Sequence, residues 1–356
     1  MENNFENFLE YGSTKIVDAM KKISINATGI IFVVDKDNKL IGSVTDGDIR
    51  RWIIKTGNLS SEIVNLMNTN PKYVFSSKKS QARDLLSKYS IRVVPIVDDD
   101  MKVVSIYFED AIVQKISSEK TKALADVPVI IMAGGKGTRL YPYTRILPKP
   151  LIPINDIPIV ERIIKEFCKY GSEKIYMTLN YKREMIKAYF RDLDAQYDIS
   201  FVEEDKPLGT AGSISLIKDN LPDTVIVTNC DILIRADYAD IVANHKESGN
   251  ALTVVSSFMK MTIPYGVIKS SSDGIIDAME EKPSIPYFAN TGMYVIESKY
   301  LKEIPEGDYF DMTDLVSLLI KENKRVGMYP ISEEAFLDMG EMVKMQQMEE
   351  KLKSNS

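Results

Sequence analysis

Residues 133–150 read AGGKGTRLYPYTRILPKP. Gly134, Gly135 and Gly137 let the backbone approach an anion closely, and successive main-chain N–H groups there can form a phosphate-binding concavity. Arg139 and Lys149 add full positive charge beside it, and Pro142, Pro148 and Pro150 stiffen the segment that carries Lys149. The chemistry this pattern suits is the holding of a polyphosphate. Two common phosphate loops are excluded. Lys136 precedes Gly137, whereas a P-loop places its lysine after the last glycine, and Leu140 stands where a Rossmann fingerprint needs its third glycine. The chain has a single histidine, His245, in the polar segment DYADIVANHKESGN. It reads as a surface residue, so chemistry built on a catalytic histidine is not expected.

The elements around the loop explain how it would be positioned. The apolar run 127–132 reads as a buried parallel strand feeding directly into the glycines. Strand and helix patterns alternate after it, which predicts an α/β fold with a Rossmann-like, mostly parallel sheet. A helix is expected over 155–170, with Pro158 in its first turn, Ile159, Val160, Ile163, Ile164 and Phe167 on one face, and Gly171 beyond it. Residues 174–179, 199–202 and 224–228 read as short buried strands. Sites in such sheets lie beyond the carboxyl ends of the strands.

The 356 residues suggest two or three domains, and 44% hydrophobic residues suffice for real cores. A net charge of −6 argues against a nucleic-acid partner. Two cysteines, Cys168 and Cys230, without a CxxC motif make a disulfide framework or zinc site improbable and suit a reducing compartment. No apolar run approaches a membrane span and the start, MENNFENFLEYG, is acidic, so a cytoplasmic enzyme is expected.

The first 118 residues hold an internal repeat: 29–52 matches 92–113, with Asp35 and Asp98 equivalent. Each unit reads as helix, strand, polar turn, strand and helix, with leading helices near 14–22 and 80–88. This resembles a tandem pair of cystathionine-β-synthase (CBS) domains of α+β class, here about 10–57 and 63–118. Residues 40–48, LIGSVTDGD, resemble that family's strand-to-helix motif. The resemblance implies an adenosine nucleotide near Thr45 and Asp48, and near Asp110 in the second repeat, where Tyr107 replaces the hydroxyl. T-x-x-D is equally a capping box that needs no ligand, and the pair could instead build an oligomer interface. A charged linker is expected over 115–126, its core at 119–126.

Beyond it, the motif at 134–150 resembles the first motif of the sugar-1-phosphate nucleotidyltransferases at every specified position, which implies a catalytic domain over 127–346 with a helical tail to 356. The resemblance implies nucleotide binding by Ala133, Gly134, Gly135, Gly137 and Thr138, with Arg139 and Lys149 catalytic. In VEEDKPLGTAGSI, Pro207, Gly209 and Thr210 resemble the segment that approaches base and sugar, with Glu204 at the base-reading position. A carboxylate only accepts hydrogen bonds, so it pairs naturally with guanine's adjacent N1–H and N2–H₂ donors. That favours GTP, although Glu203, Glu204 and Asp205 could also be a solvated acidic loop. VIVTNCDIL and AFLDMGE imply Asp231 and Asp338 as ligands of a catalytic Mg²⁺, with Cys230 replacing a usual glycine. MEEKP, NTGMYV and YGV imply sugar-phosphate contacts at Gly266, Glu281, Lys282, Asn290 and Thr291. The implied reaction joins an NTP to a sugar 1-phosphate and releases pyrophosphate. The domain order resembles bacterial guanylyltransferases that act on glucosamine 1-phosphate for legionaminic-acid-type sugars, the chain also resembles heptose and mannose 1-phosphate guanylyltransferases, and a homo-oligomer is expected. A cytidylyl- or uridylyltransferase, and a non-catalytic nucleotide sensor, remain the alternatives.

Overall fold

The computed structural model describes residues 5–26, 28–89, 91–108, 122–193, 197–217 and 221–353. The apolar run ahead of the glycine loop forms the strand Val129–Met132, buried at every position. Its alternation divides two cores: Val129 and Ile131 join one cluster, Ile130 and Met132 the other. It lies within a seven-stranded sheet ordered Asp198–Glu203, Lys174–Leu179, Val129–Met132, Thr224–Asn229, Ser284–Glu297, Leu252–Thr262 and Val326–Ile331. The first four strands run parallel, as does the last pair, while Ser284–Glu297 is antiparallel to both neighbours. The sheet is thus mixed but mostly parallel. Helices Ile159–Cys168, Arg183–Arg191, Tyr238–Glu247 and Met342–Lys353 contribute to the first core, and Met312–Lys321 to the second.

The expected strands form within a residue or two of their predicted bounds. The helix expected over 155–170 starts later, at Ile159. Residues Pro153–Ile154 and Ile157–Pro158 instead pair as a small hairpin, turning at Asn155 in a left-handed conformation (φ 59°). A residue before proline avoids the helical region, so the helix begins only after Pro158. Its predicted apolar face is buried as expected.

The N-terminal repeat is visible as two sheets of one topology. Leu9–Tyr11, Ile30–Val34 and Leu40–Thr45 form the first; Val74–Phe75, Val93–Val97 and Val103–Phe108 form the second. In each, the first pair is parallel and the second antiparallel. Asp35 Oδ1 accepts from the N–H groups of Asp37 and Lys39, and Asp98 Oδ1 accepts likewise from Asp100 and Lys102. The two turns then meet: Leu40 N–H donates to Met101 O (2.9 Å) and Val103 N–H to Asn38 O (3.0 Å). The leading helices are Ile16–Asn26 and Ala82–Tyr89. Most of the expected linker lies outside the described residues; Leu124, inside it, is already buried in the sheet's first core.

Helix Asp46–Thr56 packs on strand Val326–Ile331, joining the repeat to the sheet. Arg50 is the centre of that contact. Its guanidinium pairs with Asp46 and with Asp240 and lies 4.0 Å from the centroid of the buried Tyr329 ring. The Tyr329 hydroxyl donates to Asp240 Oδ2 (2.6 Å).

Candidate active site

The glycine loop leaves the carboxyl end of Val129–Met132 and folds back through short helical turns at Thr138–Leu140, Tyr143–Ile146 and Lys149–Leu151. Gly137 sits at φ 65°, and an added Cβ would lie 3.0 Å from both the Lys149 Cβ and the Thr144 methyl. Only glycine combines that backbone with such close approach. The consequence is that the stem of Lys149 packs directly on the loop it serves. The Lys149 ammonium pairs with the buried Asp231 carboxylate.

Asp231 and Asp338 are neighbours by strand register. Phe336–Asp338 pairs antiparallel with Ile232–Ile234, setting Asp338 opposite Ile232, and Met339 N–H donates to Asp231 O (2.9 Å). Asp338 accepts from Gly340 N–H (2.6 Å) and from Lys344 Nζ (2.7 Å). Both carboxylates and Arg139 line a cavity of about 380 Å³. Cys230, beside Asp231, is buried, and that burial pushes its thiol up to about 12, so it is a packing group and not a nucleophile.

The cavity's other wall comes from the antiparallel strand and from helix Met312–Lys321. Asn290, Thr291 and Tyr294 line it. The Asn290 amide donates to the Tyr294 hydroxyl (2.7 Å) and its oxygen accepts from Gly292 N–H (2.9 Å); the Thr291 hydroxyl donates to Val255 O (2.7 Å). Thr210 also lines the cavity, with its N–H and hydroxyl both donating to Asp311 Oδ1 (2.8 and 2.9 Å). Asp311 forms a capping box with Asp314 at the head of that helix. Burial pushes the Asp311 carboxyl up, but bonds from Thr210 and from the Tyr309 hydroxyl outweigh it and hold it below the usual range. Asp311, Asn229 and Tyr294 also line the cavity, and the motif reading did not identify them.

Glu204 is not part of a solvated acidic loop. It is 4% exposed, its Oε2 accepts from Leu208 N–H (3.2 Å), and its Oε1 lies where a side chain on Gly134 would stand. Burial pushes its carboxyl above the ordinary range, partly offset by the Leu208 N–H and the Ser213 hydroxyl. The Glu204 segment and the glycine loop are therefore in contact, with Pro207 exposed and Gly209 half-buried beside them.

Three expected contacts stand apart. Gly266, Glu281 and Lys282 belong to the exposed hairpin of strands Gly266–Ser270 and Ile276–Glu281 and its following turn. None of them lines the cavity. Lys282 is 62% exposed in its side chain, with Glu281 at 3.9 Å. In the repeat, Thr45 and Asp48 form the capping box: Asp48 N–H donates to Thr45 Oγ1 (3.1 Å), and Asp48 Oδ2 accepts from Thr45 N–H (2.9 Å). Asp110 lies outside the described residues. His245 is a correction: it is fully buried in helix Tyr238–Glu247, between the Thr253 hydroxyl (2.8 Å) and Glu297 Oε1 (3.3 Å). It lies at the opposite end of the sheet from the glycine loop, near the start of strands Thr224–Asn229 and Leu252–Thr262.

Comparison with known proteins follows the same division of the chain. The nucleotidyl transferase family profile matches residues 128–355, and the CBS domain profile matches residues 11–55. A UTP--glucose-1-phosphate uridylyltransferase of Synechocystis is 31% identical over 202 residues, 51% of this chain and 52% of that protein. A mannose-1-phosphate guanyltransferase of Debaryomyces hansenii is 33% identical over 178 residues, 47% of this chain and 49% of that protein. The chain thus spans about half the length of the curated relatives it matches. The crystal structure of HddC from Yersinia pseudotuberculosis shares the fold, with a TM-score of 0.51 and 24% identity, over 64% of this chain and 99% of that one. No helix among the described residues is long and apolar enough to cross a membrane.

Proposed function

The chain belongs to the nucleotidyl transferase family, and from that premise we propose that it transfers a nucleotidyl group from an NTP, GTP by preference, to a sugar 1-phosphate. The observation that carries this reading is the convergence of Arg139, Asp231 and Asp338 on one cavity whose facing wall is Asn290, Thr291 and Thr210, with Lys149 held on Asp231. One end is charged as phosphates require; the other offers the hydroxyl and amide groups a sugar needs.

A sugar phosphate is already an anionic nucleophile at neutral pH, so no general base is needed. The barrier is the meeting of two anions, and the remedy is positioning with charge neutralisation. Lys149 stabilises the α-phosphate as it is attacked, and Arg139 with the glycine loop holds the departing pyrophosphate. Asp231 and Asp338 fit Mg²⁺ by their chemistry, since two carboxylates on one cavity suit a hard cation that completes its shell with water and phosphate oxygens. Each already holds a lysine ammonium, so a positive charge is accommodated at both. Bound there, the metal would draw charge from the reacting phosphates.

Glu204 supports guanine, because only guanine presents two adjacent donors to a carboxylate. Pairing requires its Oε2 to exchange Leu208 N–H for the base. Glucosamine 1-phosphate is the first acceptor to test, from the resemblance of the domain order. The test is a matrix of four NTPs against several sugar 1-phosphates with Mg²⁺, read as pyrophosphate release. Turnover with UTP or CTP but not GTP overturns the base assignment, and no turnover in any well leaves a nucleotide-binding sensor in its place.

A further inference from the structure

Lys182 occupies a position that suits neither its backbone nor its place in the fold. It precedes helix Arg183–Arg191 as N-cap residue, where Ser, Thr, Asp or Asn normally supply a side-chain acceptor, and it makes no such bond. Its φ of 53° lies in the left-handed region, which favours Gly or Asn over a long side chain. Local propensity therefore selects against lysine twice, and the reason for it must lie at the other end of the side chain.

That end is fully engaged. Lys182 Nζ donates to three consecutive carbonyls, Thr144 O (3.3 Å), Arg145 O (2.6 Å) and Ile146 O (2.8 Å). These belong to the short helical turn Tyr143–Ile146, whose terminal carbonyls lack intrahelical partners and carry partial negative charge. An ammonium has three donors, and each meets one of them. The preceding residues extend the grip: the Tyr181 hydroxyl donates to Thr144 O (3.4 Å), and Asn180 Nδ2 donates to Glu204 O (3.1 Å). One segment, leaving the end of strand Lys174–Leu179, thus holds the phosphate loop with two side chains and the base-reading loop with a third.

We infer that Lys182 is a positioning residue that fixes the 143–149 turn, and through it the ammonium of Lys149, against the nucleotide. The route is short. Lys182 holds the carbonyl of Thr144; the Thr144 methyl and the Lys149 stem both pack on Gly137; and the Lys149 ammonium is then set on Asp231. Lys182 does not line the cavity, so it acts through the loop and not on substrate. The catalytic part of this inference rests on the proposed nucleotidyl transfer; the structural part does not.

The test uses the full chain with Lys182→Met, Lys182→Arg and Lys182→Gly. Glycine accepts the backbone and removes the ammonium, so it separates the clamp from any strain at φ 53°. Trypsin cleavage at the exposed Arg145 reports the turn without reference to activity. Lys182→Met and Lys182→Gly should be nicked there roughly tenfold faster, the change expected for losing a charge-assisted anchor. Their kcat for pyrophosphate release should fall roughly ten- to a hundredfold, as for a displaced catalytic group, with KM for sugar 1-phosphate changed less than about threefold. Lys182→Arg should recover much of both. Unchanged nicking at Arg145 overturns the clamp. Faster nicking with wild-type kcat overturns its catalytic role, as does a loss shared equally by kcat and thermal stability that arginine does not rescue. If the wild-type chain turns over no NTP, the proposed function fails, and the nicking rate alone decides the clamp.

Discussion

Removing the guanidinium of Arg50 should loosen the joint between the CBS domain and the seven-stranded sheet. The side chain is only 11% exposed and makes three contacts at once: Asp46 on its own helix, Asp240 across the joint, and the face of Tyr329 at 4.0 Å. Both carboxylates are about half exposed, so each pair is screened and contributes about 0.5–1 kcal/mol. The cation–π contact is drier, because Tyr329 is fully buried, and contributes about 1–2 kcal/mol. Arg50→Ala should therefore destabilise the folded chain by about 2–4 kcal/mol, since these terms act together and Asp46 and Asp240 are left without a cation between them. The assay is urea unfolding of Arg50→Ala, Asp240→Asn and the double variant. A coupling energy near 1 kcal/mol is expected, because the two groups are in contact. Additivity within about 0.3 kcal/mol would refute the assignment of the joint to this pair. A second consequence follows from chain order. Strand Val326–Ile331, on which Arg50 rests, leads through a short turn to Asp338. Arg50→Ala should thus also raise the Mg²⁺ concentration needed for half-maximal turnover, and an unchanged metal dependence would show that the joint is mechanically separate from the site.

The other predictions are more local. Lys149→Ala should lower pyrophosphate release by about 10²–10³, the cost of removing one transition-state donor, and should also destabilise the fold, because the buried Asp231 carboxylate loses its cation; near-normal kcat would refute its role. Glu204→Gln should move base preference from GTP towards UTP by about tenfold or more, because an amide offers one acceptor where the carboxylate offers two. In the wild type, burial raises the Glu204 pKa, so the proposed GTP preference should fade on acidification before an ordinary glutamate would protonate, and a preference unchanged down to the pH where an ordinary glutamate protonates would count against the base assignment. His245 provides a stability test. Burial lowers its pKa below 6.5, against the pull of Glu297, so the unfolded chain binds this proton more readily than the folded one. Stability should therefore fall as pH drops from 6.5 through the folded value, and His245→Gln should remove that part of the slope of urea midpoints between about pH 7 and about pH 5. Equal slopes in both proteins would assign the loss to other groups.

What could be read from the sequence was whatever chemistry is written in consecutive residues. The place of the glycine loop at the strand's carboxyl end was legible because a short apolar strand runs directly into the glycines. Asp231 and Asp338 were legible as motifs, but their proximity depends on the pairing of Ile232–Ile234 with Phe336–Asp338, which no local pattern specifies. Asp311 escaped because its partner Thr210 is 101 residues away; only the D-x-x-D capping signature hinted at a helix start there. His245 was misread for a different reason. Its segment is polar on average, yet Tyr238, Ile241, Val242 and His245 fall at helical spacing and all four are buried. Periodicity, weighed above mean polarity, would have placed the histidine inside. Lys182 inverts that lesson. Its local environment argues against lysine at every level that propensity can address, and conflict of this kind marks positions where a distant contact has overridden the local preference. The three carbonyls it grips are that contact, and they lie on the loop that identified the site.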